Sequence, residues 1–223
     1  MHEDVGQALV CRTSRQQDGH DGTVTVDQRL VDAAVTAAGL PARYGQDHRQ
    51  YHNLGHVEQV LDCIKQLSPE PDHATALTLA AWFHDAIYAP GRSDNEERSA
   101  FLAKDTLELV GAPPALGTEV ARLVSMTGSH TPEADDRAGA VLCDADLSIL
   151  GSTPDKYAEY AAAVRAEYSL VPDHLFKPAR AQVLRQFLER ERLFQTVIGH
   201  DLWEAPARDN IRREISELER VET

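Results

Sequence analysis

The sequence predicts an all-α protein, a single domain folded as a bundle of about nine helices. Three observations predict it. Apolar residues recur at three- and four-residue spacing along most of the chain, and Gly, Pro or Asp stands at the joints between these runs. Alternating β-branched patterns are nearly missing, Thr23 to Val26 being the one short strand candidate. At 223 residues the chain is the size of one domain with a small appendage, long enough to bury a real core.

The N-terminal segment, residues 1–25, is polar, carries three Gly and shows no sustained apolar period. It predicts a flexible leader or tag-like segment, which leaves 26–223 as the folded domain. The first helix is then Asp27 to Ala38, closed by Gly39 where an αL cap is useful. Asn53 to Leu67 follows, with Asn53 as its N-cap. Pro71 to Ile87 is the most apolar of all and must be buried on most faces. Asn95 to Val110 has Ser93, Asp94 or Asn95 as its cap, two glutamates in its first turn and Gly111 behind it. Pro114 to Thr127 and Asp136 to Leu150 come next, the latter closed by Gly151. Pro154 to Ser169 and Pro178 to Phe194 each open on a proline of the kind tolerated in a first turn, and Ala205 to Arg220 ends the series.

Lys plus Arg number 22 against 36 Asp plus Glu, a formal charge of −14 that argues against non-specific nucleic-acid binding, which needs clustered cations. A local basic pocket for one small phosphate remains compatible with it. No run approaches the ~18 apolar residues of a membrane span, and no secretory h-region follows Met1. Cys11, Cys63 and Cys143 are odd in number and scattered, so neither a disulfide framework nor a Cys-rich zinc site is expected. The expected location is the reducing cytoplasm, with no membrane and no nucleic acid among the partners and a homodimer allowed.

Candidate chemistry concentrates in three segments. In Ala80-Ala81-Trp82-Phe83-His84-Asp85-Ala86-Ile87-Tyr88 a His-Asp pair stands in a strongly apolar helix, where it costs several kcal/mol unless hydrogen-bonded, ion-paired or metal-bound. Adjacent helical residues diverge by ~100°, so both reach one ion only if it sits over the ridge between them. In Tyr51-His52-Asn53-Leu54-Gly55-His56 the two histidines fall at one helix end, as ligands or catalytic groups, or merely as surface residues beside the Asn53 cap. In Val141 to Leu150, Asp144 and Asp146 are two apart, ~200° around a helix, so at most one faces a pocket while the other reaches solvent or caps something.

The order His, His-Asp and a distant Asp resembles the HD superfamily of metal-dependent phosphohydrolases, here His56, His84, Asp85 and Asp146. The segment YHNLGHVEQV is similar to the YHNxxH signature of cyclic-nucleotide phosphodiesterases, and DLS at 146–148 to the segment holding that branch's last ligand, which selects Asp146 over Asp144. A closer resemblance is to small bacterial HD proteins described as predicted metal-dependent phosphohydrolases, through RQYHNLGH, WFHDAIY, NEERSA, DADLSILG, RAEY and ARDNI over roughly residues 27–221. That resemblance implies an all-helical HD domain.

Two imidazoles and two carboxylates suit one divalent ion such as Mn²⁺, Co²⁺, Fe²⁺, Ni²⁺ or Zn²⁺, with Mg²⁺ also allowed. The expected reaction is hydrolysis of a phosphate ester by hydroxide generated on that ion. On the phosphodiesterase-like reading His52 is the general acid, against a purely structural hydrogen bond. Glu96 orients or deprotonates the attacking water, or serves only the helix start. His130 lies where binuclear relatives carry further histidines, and standing alone it favours a mononuclear site; it binds phosphate or is an ordinary loop residue. Phosphate cations are sought among Arg49, Arg98, Lys104, Arg165, Lys177, Arg180 and Arg208, with Arg49, Arg165 and Arg208 in family-like motifs, and Tyr88 is expected to line the pocket.

The substrate implied is a small phosphorylated metabolite, a nucleotide first and a nucleoside 5′-monophosphate by preference, as in a 5′-nucleotidase-like phosphatase. The alternatives are a phosphodiester or pyrophosphate hydrolase acting on a cyclic nucleotide, dinucleotide or nucleoside triphosphate, and a ligand-sensing module without turnover.

Overall fold

The computed structural model describes residues 26–67 and 73–220. Its elements are α1 (Gln28–Ala37), α2 (Leu40–Tyr44), α3 (Leu54–Gln66), α4 (Ala74–Phe83), α5 (Asn95–Leu109), α6 (Pro114–Met126) and α7 (Arg137–Leu147), then a 3-10 turn (Ser148–Gly151), α8 (Pro154–Glu167), α9 (Asp173–Glu189) and α10 (Val197–Leu218). No strand occurs among the described residues, as an all-α protein requires. The expected leader 1–25, the helix start at Pro71 and Thr23 to Thr25 of the strand candidate lie outside the described residues.

Ten helices stand among the described residues instead of about nine, and each departure has a local cause. The extra α2 is five residues long, behind Gly39 at φ 60° and with a proline in its first turn, too short to show an apolar period. Gly111, at φ 77°, also takes the left-handed conformation expected of it. Helix α4 stops at Phe83 and not at Ile87, so His84 and Asp85 sit beyond its last turn. Helix α9 opens at Asp173, before the Pro178 read as a first-turn residue, and α10 at Val197, before the expected Ala205 start. Thr196 caps α10 by accepting from Gly199 N–H. Pro178 and Pro206 lie inside these helices on exposed faces, where a carbonyl deprived of its N–H partner turns to water.

The core follows from α4, which buries Ala74, Ala76, Leu77, Leu79, Ala80, Ala81 and Phe83 and packs against α1, α3, α5, α6 and α7. Burying a Leu or Phe contributes roughly 1.5–3 kcal/mol each. A second core joins Leu147, Leu150, Tyr157, Leu184, Leu193, Phe194, Ala207 and Ile211 from the end of α7, the 3-10 turn, α8 to α10 and the α9–α10 connection. Trp203, half-buried, packs against both. Gly151 does not adopt the αL cap expected of it; its missing side chain lets the 3-10 turn lie directly on the Trp203 backbone, where any Cβ would collide.

Candidate metal centre

Four side chains predicted as ligands come together from three separate segments. Asn53 caps α3 by accepting from Gly55 N–H, which puts His56 in the first turn, buried, with its Nε2 turned inward. His84 is the C-cap of α4, still helical in backbone and bonded through its N–H to Ala80 O, and Asp85 follows it; both face the cluster, so the pair meets at one point from the end of the helix. Asp146 comes from the last turn of α7, the helix that packs against α3. Its neighbour Asp144 turns the other way and is fully buried. It accepts from Gln195 N, Thr196 N and Thr196 Oγ1 at 2.8, 2.8 and 2.6 Å, so it fixes the entrance to α10.

His56 Nε2 lies 3.1 Å from His84 Nε2, 3.0 Å from Asp146 Oδ1 and 3.8 Å from Asp85 Oδ2. His84 Nε2 lies 3.1 Å from Asp85 Oδ2 and 3.6 Å from Asp146 Oδ1. Ligands about 2.0–2.2 Å from one ion stand roughly 3–3.6 Å apart when adjacent, so these separations fit a divalent cation. Among the described residues, His56, His84 and Asp146 form a group that could hold a metal ion, with one ligand atom of each within 4.8 Å of the others. The donor chemistry fits as well. His84 Nδ1 stands 2.9 Å from Ala81 O, and since a carbonyl only accepts, the neutral ring carries its proton on Nδ1, so a cation replacing any proton on Nε2 would meet that nitrogen's lone pair.

The electrostatics mark the same point as a place for positive charge. Burial disfavours a charged His84, but Asp85 and Asp146 outweigh it and push its pKa up to about 10. Burial opposes ionisation of Asp85 and Asp146 too, yet the facing histidines hold both carboxyls well below the usual carboxylate range. Burial, against the pull of Asp146, leaves His56 lowered and neutral.

His130 stands beside the cluster. Its Nε2 lies 2.8 Å from Asp146 Oδ2, which leaves Oδ1 for His56 and the cation position. Its backbone takes φ 50°, a left-handed conformation uncommon outside Gly, and the Arg190 guanidinium holds it there by donating to the carbonyls of His130 (2.9 Å) and Ser129 (2.8 Å). Glu96 is half-buried against Gly128 in the same loop, with no hydrogen bond or ion pair among the described residues. Its neighbours Asn95 and Ser99 bond both ways to the backbone of Ala89 and Ile87 and so fix the turn that follows Asp85.

His52 and Tyr88 meet on a carboxylate absent from the sequence-based site, Glu167. Its Oε1 accepts from the backbone N–H groups of Gln50, Tyr51 and His52 at 2.9, 2.8 and 2.9 Å. Its Oε2 accepts from His52 Nδ1 and Tyr88 Oη, both at 2.7 Å. The His52 and Tyr88 rings stack with centroids 4.2 Å apart. Burial works against a charged His52, but Asp85 and Glu167 raise its pKa; Glu167, despite its own burial, is held down to about 2 by His52 and the hydrogen bonds it accepts. One signal in the sequence pointed to Glu167. It is a carboxylate in the last turn of a helix, the end the helix dipole disfavours.

The three motif arginines are each engaged with carbonyls or carboxylates of the chain. Arg49 is buried and donates to Gln46 Oε1 and to the carbonyls of His52, Asp85 and Ala86. Arg165 pairs with Asp173 and donates to Tyr168 O and Val171 O, which ties the α8–α9 turn. Arg208 pairs with Glu204 and donates to the carbonyls of Leu188, Arg190 and Glu191 behind α9. Carbonyls at helix ends lack intrahelical partners, and the arginine fork satisfies several at once. Arg180 is likewise engaged, with Glu214 and Tyr160.

Fold and site therefore define an all-α protein with a buried His/Asp centre suited to a metal ion. No protein-family model matches the chain, and neither a curated protein nor a solved structure does. No helix among the described residues is long and apolar enough to cross a membrane.

Proposed function

We propose that this protein is a metal-dependent phosphohydrolase of the HD type, acting on a small phosphate ester, with a nucleoside 5′-monophosphate as the first substrate to test. The observation that carries the reading is the convergence of His56, His84, Asp85 and Asp146, whose facing atoms lie 3.0–3.8 Å apart. These are the four residues that the resemblance selects as one ligand set. One divalent ion of the Mn²⁺, Co²⁺, Fe²⁺, Ni²⁺ or Zn²⁺ kind, when bound there, supplies a Lewis acid for a phosphoryl oxygen and lowers the pKa of a coordinated water.

The remaining residues carry proton transfer and orientation. Water attacks phosphorus, the ester P–O bond breaks, and the departing alkoxide takes a proton from His52 Nε2. Glu167 keeps His52 protonated and oriented by accepting from Nδ1, and Tyr88 fixes Glu167 and stacks on the ring. Glu96, unpaired and half-buried, takes the proton that the water releases. His130 fixes the Asp146 carboxylate. A phosphodiester or pyrophosphate would use the same groups, so substrates decide between these readings.

The test is phosphate release from a panel of nucleoside 5′-monophosphates with Mn²⁺, Co²⁺ or Mg²⁺ added, with Asp85→Ala in parallel. Release that requires metal and vanishes in the variant supports a monophosphatase. Metal uptake without release turns the search to diesters and pyrophosphates, equal release by both proteins marks that release as a background that does not arise at this centre, and no metal uptake favours a ligand-sensing module.

A further inference from the structure

Two buried side-chain polar atoms among the described residues have no hydrogen-bond partner, Tyr51 Oη and His56 Nδ1. Their rings are neighbours, with centroids 4.7 Å apart. A buried donor without an acceptor has lost its hydration and gained nothing, so such atoms are rare and each needs a reason. His56 Nδ1 has one in its ring, whose Nε2 faces the cation position and whose other nitrogen is left as a donor.

Tyr51 needs a different reason. It stands just ahead of α3 with its backbone N–H on Glu167, and its ring is wedged against Tyr160 and His52, with centroids 4.6 and 5.0 Å away. Phenylalanine would fill the same space without an orphaned hydroxyl. Arg49, Arg165 and Arg208 are engaged with carbonyls and carboxylates, whereas Tyr51 offers an unengaged hydroxyl on a ring that lies against His56.

We propose that Tyr51 Oη–H is a binding group for a tetrahedral oxyanion at the metal centre, donating to a non-bridging oxygen of the phosphoryl group. The inference rests on the hydrolase reading and adds a named contact to it. A neutral phenol suits this task, because it bonds the oxyanion without adding a charge that the neighbouring carboxylates would capture.

The experiment is calorimetric titration of Mn²⁺-loaded wild type and Tyr51→Phe with inorganic phosphate, alongside each protein's Mn²⁺ affinity and metal-free melting temperature. Phosphate affinity is expected to fall about tenfold in Tyr51→Phe, the loss of one charge-assisted hydrogen bond. Mn²⁺ affinity should change less than twofold, and the melting temperature should hold or rise, since only an unpartnered hydroxyl is removed. Tyr160→Phe, which loses the bond from Arg180, should melt lower and bind phosphate as wild type does. Equal phosphate affinity in Tyr51→Phe and wild type overturns the inference alone. So does an equal loss in Tyr160→Phe, or a fall in Mn²⁺ affinity and melting temperature together in Tyr51→Phe. Failure of the wild type to take up Mn²⁺, or of its Mn²⁺ form to bind phosphate, removes the hydrolase reading and this inference with it.

Discussion

Glu167 concentrates more of the site's energetics than any ligand of the cluster, since one fully buried carboxylate side chain receives three backbone N–H groups, an imidazole and a phenol. Its pKa is held at about 2 against an ordinary 4.5. A carboxyl lowered in the folded state stabilises the protein above its unfolded value, and that contribution drains away as pH falls from 4.5 toward 2. Urea denaturation at pH 7, 4.5 and 3 should therefore show wild type losing stability across the last step. Glu167→Gln should be weaker by about 2–4 kcal/mol at pH 7, because an amide cannot accept from all five donors, and it should lose less on acidification. An unchanged acid profile in the variant would assign that sensitivity to other carboxyls. At this scale the sequence was legible where residue type alone names the chemistry, as with His56, the His84-Asp85 pair and Asp146. It was opaque where role depends on which partner is in reach. Arg49, Arg165 and Arg208 look like phosphate clamps until the carbonyls around them are seen, and Glu167 looks like an ordinary helix carboxylate.

Among the elements, the decisive feature is the end of α4, whose C-cap His84 and the following Asp85 converge on one point. The sequence conveyed the apolar character of α4 but not its end, since Ala86 and Ile87 extend the same pattern. Ser99 and Asn95 of α5 hold the turn from outside the segment. Helices α9 and α10 begin earlier than the sequence suggests: Pro178, on an exposed face, resembles a first-turn residue although α9 opens at Asp173 behind Pro172, and α10 opens on the Thr196 cap. The α7–α10 junction gives a direct check. Asp144→Ala removes three hydrogen bonds from a buried carboxylate and should cost about 2–4 kcal/mol in chemical denaturation while leaving Mn²⁺ affinity unchanged. A matching loss of metal binding would show that α7 transmits the damage to Asp146. Gly151→Ala forces a methyl group into the Trp203 backbone and should cost about 1–3 kcal/mol, read as a lower melting temperature. A neutral result there would mean that the 3-10 turn moves off α10 freely.

For the whole molecule, two hydrophobic cores joined through Trp203 carry the fold, and the His/Asp centre gathers the start of α3, the turn after α4 and the end of α7. An ion at that point couples three segments far apart in sequence, so it should stabilise the folded chain by mass action. At a hundredfold excess over Kd the gain is about 2.7 kcal/mol, visible as a rise of several degrees in melting temperature that a chelator reverses. The all-α class was legible from periodicity because bundles are built from local pattern, whereas the meeting of three segments at one point is a long-range fact that no local pattern contains. On the proposed reading His56, His84, Asp85 and Asp146 form one metal centre. Calorimetric titration of chelator-stripped wild type and His84→Ala with Mn²⁺ tests it most directly. One ion per chain in wild type and at least a hundredfold weaker binding in the variant is the predicted result; no uptake by wild type, or equal uptake by both proteins, would contradict it.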